Sequence, residues 1–281
     1  MAVILILLFT YILLGGLMKK ILEGIFLVFL TCFSFFYTDK VINMINKKDP
    51  VMIEIVNVKS DYDVLPVNAV IEENTIIPGI NGKEIDVSKS YENMKSGGIF
   101  REDALIFKDL YPSSSLKDNI DKYIVKGNSS KNEVALVYVL NNNYIDNVKK
   151  IDNITIFINH KDLNISNINL LKDKEIYTYG NNGVYNEEII TSDNTLINRM
   201  SNNNSKYCLV KDKDDSVLEV CNKSNMYVVL PNIIGSYYDV KNNLTSGSII
   251  LLNNLNDIDS IVKYIKSKGY NIVTLSNLLS E

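Results

Sequence analysis

One histidine, His160, stands in 281 residues. That scarcity alone excludes a metal centre built on two imidazoles. Cysteine is nearly as rare, with only Cys32, Cys208 and Cys221. Positive charge is not in excess either. The formal net charge is -4, which leaves no broad basic surface for phosphates and removes nucleic acid from the candidate partners. No phosphate loop or dinucleotide fingerprint is present, and Gly247-Ser248 lacks the Gly-x-Ser-x-Gly elbow. A thiolate–imidazole pair of His160 with Cys208 or Cys221 is possible in principle, but both cysteines lie in apolar runs. His160 follows an apolar stretch and reads as a loop histidine.

Apolar sequence, in contrast, is plentiful at the N-terminus. Ala2 to Leu17 is apolar throughout, Lys19-Lys20 follows, and Ile21 to Tyr37 is apolar again except for Glu23. Two arrangements fit. Either Met18 opens a signal anchor with Lys19-Lys20 as its charged leader, or Met1 opens a hairpin of two apolar runs. Each run is a little short of the roughly 20 residues a span needs. In both cases the positive-inside rule keeps Lys19-Lys20 on the cytoplasmic side and the polar bulk outside. No small-x-small site follows Phe36, and Phe29-Leu30-Thr31 before Cys32 is a poor lipoprotein signal. Residues 1–40 are therefore expected to be an uncleaved single-pass anchor in the cell membrane, with the C-terminal part extracytoplasmic. Cys208 and Cys221 are then the only exterior pair. An oxidising compartment permits a disulfide between them; two buried free thiols are the other possibility.

Residues 41–130 are expected to form a stalk and a small α+β accessory region. Val51 to Val58 reads as a strand after Pro50, Val67 to Ile71 and Thr75 to Ile77 as short strands, and Asn81-Gly82 as a turn. A helix starts at Asp86 or Ser88 and stops at Gly97-Gly98. Ala104 to Phe107 and Tyr123 to Val125 read as strands, and Gly127 to Ser130 as a linker. From residue 131 to 281 short apolar strands alternate with helical or loop stretches: Val134 to Leu140, Ile154 to Ile158, Glu175 to Tyr179, Lys206 to Val210, Met226 to Leu230, Ser248 to Leu252 and Asn271 to Thr274. Repeated β-then-α units predict a parallel α/β sheet or barrel. A last helix is expected over Asp257 to Lys268, stopped by Gly269.

The closing stretch Lys268-Gly269-Tyr270-Asn271-Ile272-Val273-Thr274-Leu275 resembles the end of the polysaccharide deacetylases, the NodB-homology domain of carbohydrate esterase family four. The resemblance extends back to Val134 through order and spacing. It implies a distorted (β/α) barrel, a divalent metal such as zinc, and removal of acetyl groups from polysaccharide. The short interval between Leu140 and Ile154 predicts a reduced first helix and an incomplete barrel. The family's chemistry is missing at each motif. The Asp-Asp pair that supplies a base and a metal ligand corresponds to Val139 and Leu140, followed by the neutral amides Asn141, Asn142 and Asn143. The two metal-binding histidines of a His-x-x-x-His spacing correspond to Asn182 and Asn186. The arginine that orients the catalytic carboxylate corresponds to Leu209, and the final histidine to Asn253. The run Asp212, Asp214, Asp215 is interleaved with Lys211 and Lys213 and reads as a solvated turn.

Val139, Leu140, Asn182, Asn186 and Asn253 are expected to converge at the C-terminal ends of the strands. Two functions follow from the resemblance. One is a non-catalytic binding or scaffold role at the cell envelope, on cell-wall glycan or an envelope protein, with no cofactor. The other is a divergent hydrolase acting through a rebuilt site.

Overall fold

A computed structural model describes residues 23–38, 40–42, 44–140, 145–201 and 205–281. The expectations for Ala2 to Leu17, Met18, Lys19-Lys20 and Asn141 to Asn143 lie outside the described residues. The chain divides into two compact units: Met1–Asp63 with Glu84–Lys108, and Val64–Lys83 with Asp109–Glu281. The stretch 41–130 is thus shared between the units.

The smaller unit begins with helix α1, Glu23–Asn46, the one helix among the described residues that is long and apolar enough to span a membrane. Its 24 residues extend about 36 Å, against a hydrocarbon thickness of about 30 Å. Phe29, Phe33 and Tyr37 stack along one side at the i, i+4 spacing. Val51 to Val58 belongs to a helix rather than a strand: α2 spans Pro50–Tyr62. Asp49 caps it by accepting from the Val51 amide at 2.8 Å, and Pro50 sits where its missing N–H costs nothing. Val51 and Ile55, one turn apart, are buried with Ile85, Tyr91 and Met94. The local apolar density fits a strand or a helix; the cap decides. Helix α3, Val87–Met94, is capped by Asp86 as expected. Between these elements Glu84 accepts from Lys108 at 2.8 Å and Lys59 at 2.7 Å, which together draw its carboxyl down to about 2.

The larger unit carries two sheets. The first is parallel, with order β11 (Ile233–Gly235), β12 (Ile249–Leu252), β6 (Glu133–Leu140), β7 (Ile154–Ile158) and β8 (Glu175–Thr178); β13 (Asn271–Val273) also pairs with β6. The second has order β1 (Val70–Glu72), β2 (Thr75–Ile77), β5 (Tyr123–Ile124), β10 (Tyr227–Val229) and β9 (Tyr207–Leu209), parallel except for the β1–β2 pair. The strands β3 (Gly82–Ile85) and β4 (Phe107–Leu110) form a separate pair. Asn81-Gly82 is not a hairpin turn. A Cβ at Gly82 would sit 2.2 Å from the Val64 carbonyl oxygen, so glycine there permits close passage of the 64–66 backbone.

Alternation along β6 sorts its side chains. Ala135, Val137 and Val139 face an interior shared with Ile76, Ile124, Phe157, Tyr177, Leu209, Val229 and Leu251. Leu136, Tyr138 and Leu140 face an outer layer built from the helices that follow the strands. Among these helices α4 (Ile145–Lys149) has only five residues, as the short 140–154 interval predicts. The others are α5 (Ile165–Leu170), α6 (Glu187–Ser201), α8 (Tyr237–Asn243) and α9 (Ile258–Ser267). Helix α7 (Asp215–Lys223) covers the outer side of β9 and β10, and α10 (Leu275–Leu278) plugs the interior.

The interior is that of a distorted barrel, but hydrogen bonds do not close it. The edges β8 and β9 have no ladder between them. A side-chain ladder crosses that seam instead, Phe157–Tyr177–Tyr207–Tyr227, with ring centroids 5.4, 5.2 and 6.0 Å apart. The buried Tyr185 hydroxyl also bridges the seam. It accepts from the Leu209 amide at 2.9 Å and lies 3.3 Å from the Thr178 carbonyl. Burial raises its phenol strongly.

Residues 127 to 130 are not a free linker. Gly127 and Asn128 are buried, and Asn128 Nδ2 donates to the Pro78 carbonyl at 3.0 Å. Cys208 on β9 and Cys221 on α7 form a disulfide, with Cα atoms 6.5 Å apart. This settles the alternative that the sequence leaves open.

Candidate functional site

Parallel strands deliver the residues that follow them to one end of a sheet, where ligands collect in such folds. A cavity of about 520 Å³ lies there, within the range typical of small-ligand sites. Val139 and Leu140 come from the end of β6, and Leu251 to Asn254 from the end of β12. Asn159, Lys161 and Asp162 come from the segment after β7, Asn182 from the turn after β8, and Lys211 from the segment after β9.

Val139, Leu140, Asn182 and Asn253 therefore share one cavity. Leu209 and Asn186 are not among its lining residues. Leu209 is fully buried in the interior cluster. Asn186 stands at the start of α6, where its Oδ1 accepts from the Ile189 amide at 2.8 Å. It is the cap of that 15-residue helix. Asn186→Ala is expected to destabilise the larger unit by about 1 kcal/mol, whereas Asn186→Asp, which keeps the acceptor, is near neutral. Urea denaturation of both variants checks this. Equal losses would remove the cap as the reason for asparagine here.

Asn182 also has a backbone role. Asn182 and Gly183 have φ of 55° and 88°, the two positive values of a type I′ turn, and Asn181 and Val184 pair across it. Asparagine and glycine suit those positions because they tolerate left-handed backbone. The Asn182 amide donates to Asn159 Oδ1 at 3.0 Å, tying the turn to the β7 loop. Asn182 thus belongs to a turn and Asn186 to a helix cap.

The donor set does not fit a zinc-type metal. The cavity wall offers the apolar side chains of Val139 and Leu140 and the amides of Asn182 and Asn253, and its one carboxylate is Asp162. Among the described residues no group of three or more His, Cys, Asp or Glu side chains is placed to hold a metal. The acidic run after β9 has local partners. Asp214 caps α7, accepting from the Ser216 hydroxyl at 2.6 Å and its amide at 3.0 Å; these bonds hold its carboxyl below the usual range. Asp215 accepts from the Tyr123 hydroxyl at 3.2 Å.

His160 is more than a loop residue. Its Nδ1 lies 2.7 Å from Oδ1 of Asp193, a buried carboxylate on α6. The other Asp193 oxygen accepts from Thr178 Oγ1 at 2.5 Å. Sequence pattern misses the pair because His160 and Asp193 are 33 positions apart. Asn159, Lys161 and Asp162 carry no motif in the sequence, and Lys211 belongs to the run that reads as a solvated turn; the signal that points to all four is position, within four residues of the end of a parallel strand.

No family model matches the chain. The uncharacterized protein YlxY of Bacillus subtilis (strain 168) is 37% identical over 91 residues, a match that spans 32% of this chain and only 28% of that protein. The solved structure of wild-type BA3943 from Bacillus anthracis, described as a CE4 family pseudoenzyme, superposes with a TM-score of 0.61. It is 21% identical over 83% of this chain and 96% of that one. A BA3943 mutant described as having restored enzymatic activity superposes equally well, with a TM-score of 0.61 and 21% identity over 82% and 98% of the two chains. The chain has the fold of carbohydrate esterase family 4, as its closing motif and strand order predict.

Proposed function

We propose that this chain is a deacetylase-like protein without deacetylase chemistry, anchored in the cell membrane by α1, that binds cell-wall glycan with its larger unit outside the cell. The carrying observation is the cavity wall. A groove lies at the strand ends, and its wall includes Val139, Leu140, Asn182 and Asn253, to which the sequence resemblance assigns the places of a base, metal ligands and a final histidine. Hydrolysis of an acetamide needs an activated water and a group that stabilises the oxyanion. Valine, leucine and asparagine supply neither a base nor a Lewis acid. The BA3943 pair supports the reading by analogy: that fold exists both as a pseudoenzyme and as a mutant with restored activity.

Two observations support the placement. Helix α1 has the length and apolarity of a span, and the Cys208–Cys221 bridge suits an oxidising compartment. A tag placed after Glu281 is therefore expected to be cleaved by protease added to intact cells. Protection of the tag, with cleavage only after lysis, would reverse the topology.

The full chain, purified in detergent, is expected to bind no stoichiometric zinc and to release no acetate from chitotetraose, with or without added zinc or cobalt. The competing reading is a hydrolase on a rebuilt site, for which the His160–Asp193 couple is the one imidazole–carboxylate pair in the chain. Metal-dependent acetate release by the unmodified chain would establish that alternative.

A further inference from the structure

The charge on the cavity wall points beyond a neutral sugar. Lys161 and Lys211 reach the cavity from the segments after β7 and β9. Neither makes an ion pair or hydrogen bond with another described residue. The one wall carboxylate is Asp162, so two ammonium groups against one carboxylate leave the cavity at +1, in a chain of net charge -4. Asp212, next to Lys211, is exposed and is not part of the wall. The wall also carries Tyr138 and four amides, Asn159, Asn182, Asn253 and Asn254. Amides donate and accept, as sugar hydroxyls and acetamides do. Ammonium groups only donate, and they favour an anion.

We infer that the groove binds a glycan through an anionic substituent, a carboxylate or phosphate, held between Lys161 and Lys211 while the asparagines contact the sugar. The inference rests on the glycan-binding reading above and adds the charge of the ligand. The recognition step transfers no group and needs no co-reactant.

The test is titration calorimetry of the full chain in detergent with three oligomers. They are a GlcNAc–MurNAc tetrasaccharide bearing lactyl carboxylates, chitotetraose as its uncharged counterpart, and a glycerol-phosphate oligomer. At low salt the carboxylated tetrasaccharide is expected to bind about tenfold or more tighter than chitotetraose, and the difference shrinks as salt rises. Lys161→Gln and Lys211→Gln should each weaken it about fivefold and narrow its advantage over chitotetraose by a similar factor. Lys161→Arg and Lys211→Arg should retain most of it. Both lysines are exposed, so an unchanged unfolding midpoint verifies that the variants fold. Lysine-dependent binding of the phosphate oligomer alone keeps the anion site, names phosphate as the anion, and rejects the carboxylate source. Equal affinity for the charged and uncharged sugars, insensitive to both Gln substitutions, overturns the inference and leaves the glycan reading standing. Binding of none of the three oligomers overturns both.

Discussion

Leu140→Asp alone is expected to lower the unfolding free energy of the larger unit by about 3–5 kcal/mol at neutral pH. The sequence resemblance assigns a metal ligand to this position, so on that reading the substitution would be a restoration. The structure makes it a core lesion. Leu140 is 1% exposed and packs into the outer apolar layer with Val148, Ile158, Leu163 and Ile168. A carboxylate there loses water and gains no partner. Val139→Asp is the internal control. Val139 is half-buried and faces the open end of the interior, so its loss is about 1–2 kcal/mol. Urea denaturation of the two variants measures the gap. Equal effects would mean that strand alternation at the end of β6 is not as described. Adding Asn182→His and Asn186→His to Leu140→Asp supplies the family's metal-binding residue types. With Leu140 in the outer layer and Asn186 committed to capping α6, zinc is not expected to raise the denaturation midpoint of that variant. A zinc-dependent rise would show that the end of β6 turns residue 140 into the groove.

The parallel strands of the larger unit were legible because each is a short apolar run bounded by polar stretches, and buried parallel strands carry that signature. The helix after Asp257 was legible for a different reason. Its apolar positions Ile258, Ile261, Val262 and Ile265 recur with helical spacing, and Asp257 and Gly269 bracket them. Val51 to Val58 is ambiguous in the sequence because its β-branched residues fit a strand as well as a helix. The Asp49-Pro50 start decides the matter, and it is a capping signal rather than a periodic one. The candidate site was legible by position and only partly by residue. Val139, Leu140, Asn182 and Asn253 meet at one cavity because Val139 and Leu140 end a parallel strand and Asn182 and Asn253 follow one. Asn186 has the right spacing from Asn182, but the intervening turn and the start of α6 give it a different task. The lysines are not legible as a site, because Lys161 after a strand carries no motif and Lys211 sits in a charged run that reads as a solvated turn. Their meaning comes from the wall they join.

Breaking the Cys208–Cys221 bridge is expected to cost the larger unit about 3 kcal/mol, the value for closing a loop of about 15 residues in the unfolded chain. The two cysteines are 13 positions apart, and both are fully buried between β9, β10 and α7. The bridge pins the C-terminal part of α7 to the outer face of β9. Lys211 and the Asp214 cap lie inside the closed loop, so the bridge also fixes the segment that brings Lys211 to the cavity. The double variant Cys208→Ala, Cys221→Ala should therefore show two losses together: a lower urea midpoint, and weaker binding of the carboxylated tetrasaccharide under conditions where the variant is still folded. Lys211→Gln provides the comparison, because it weakens binding without moving the midpoint. If the oxidised and reduced wild-type protein unfold at the same urea concentration, the bridge contributes nothing to stability. If the double variant loses stability but binds the tetrasaccharide as tightly as wild type, the 208–221 segment is held in place by the α7 cap and by packing on β10, and the disulfide acts on the unfolded chain alone.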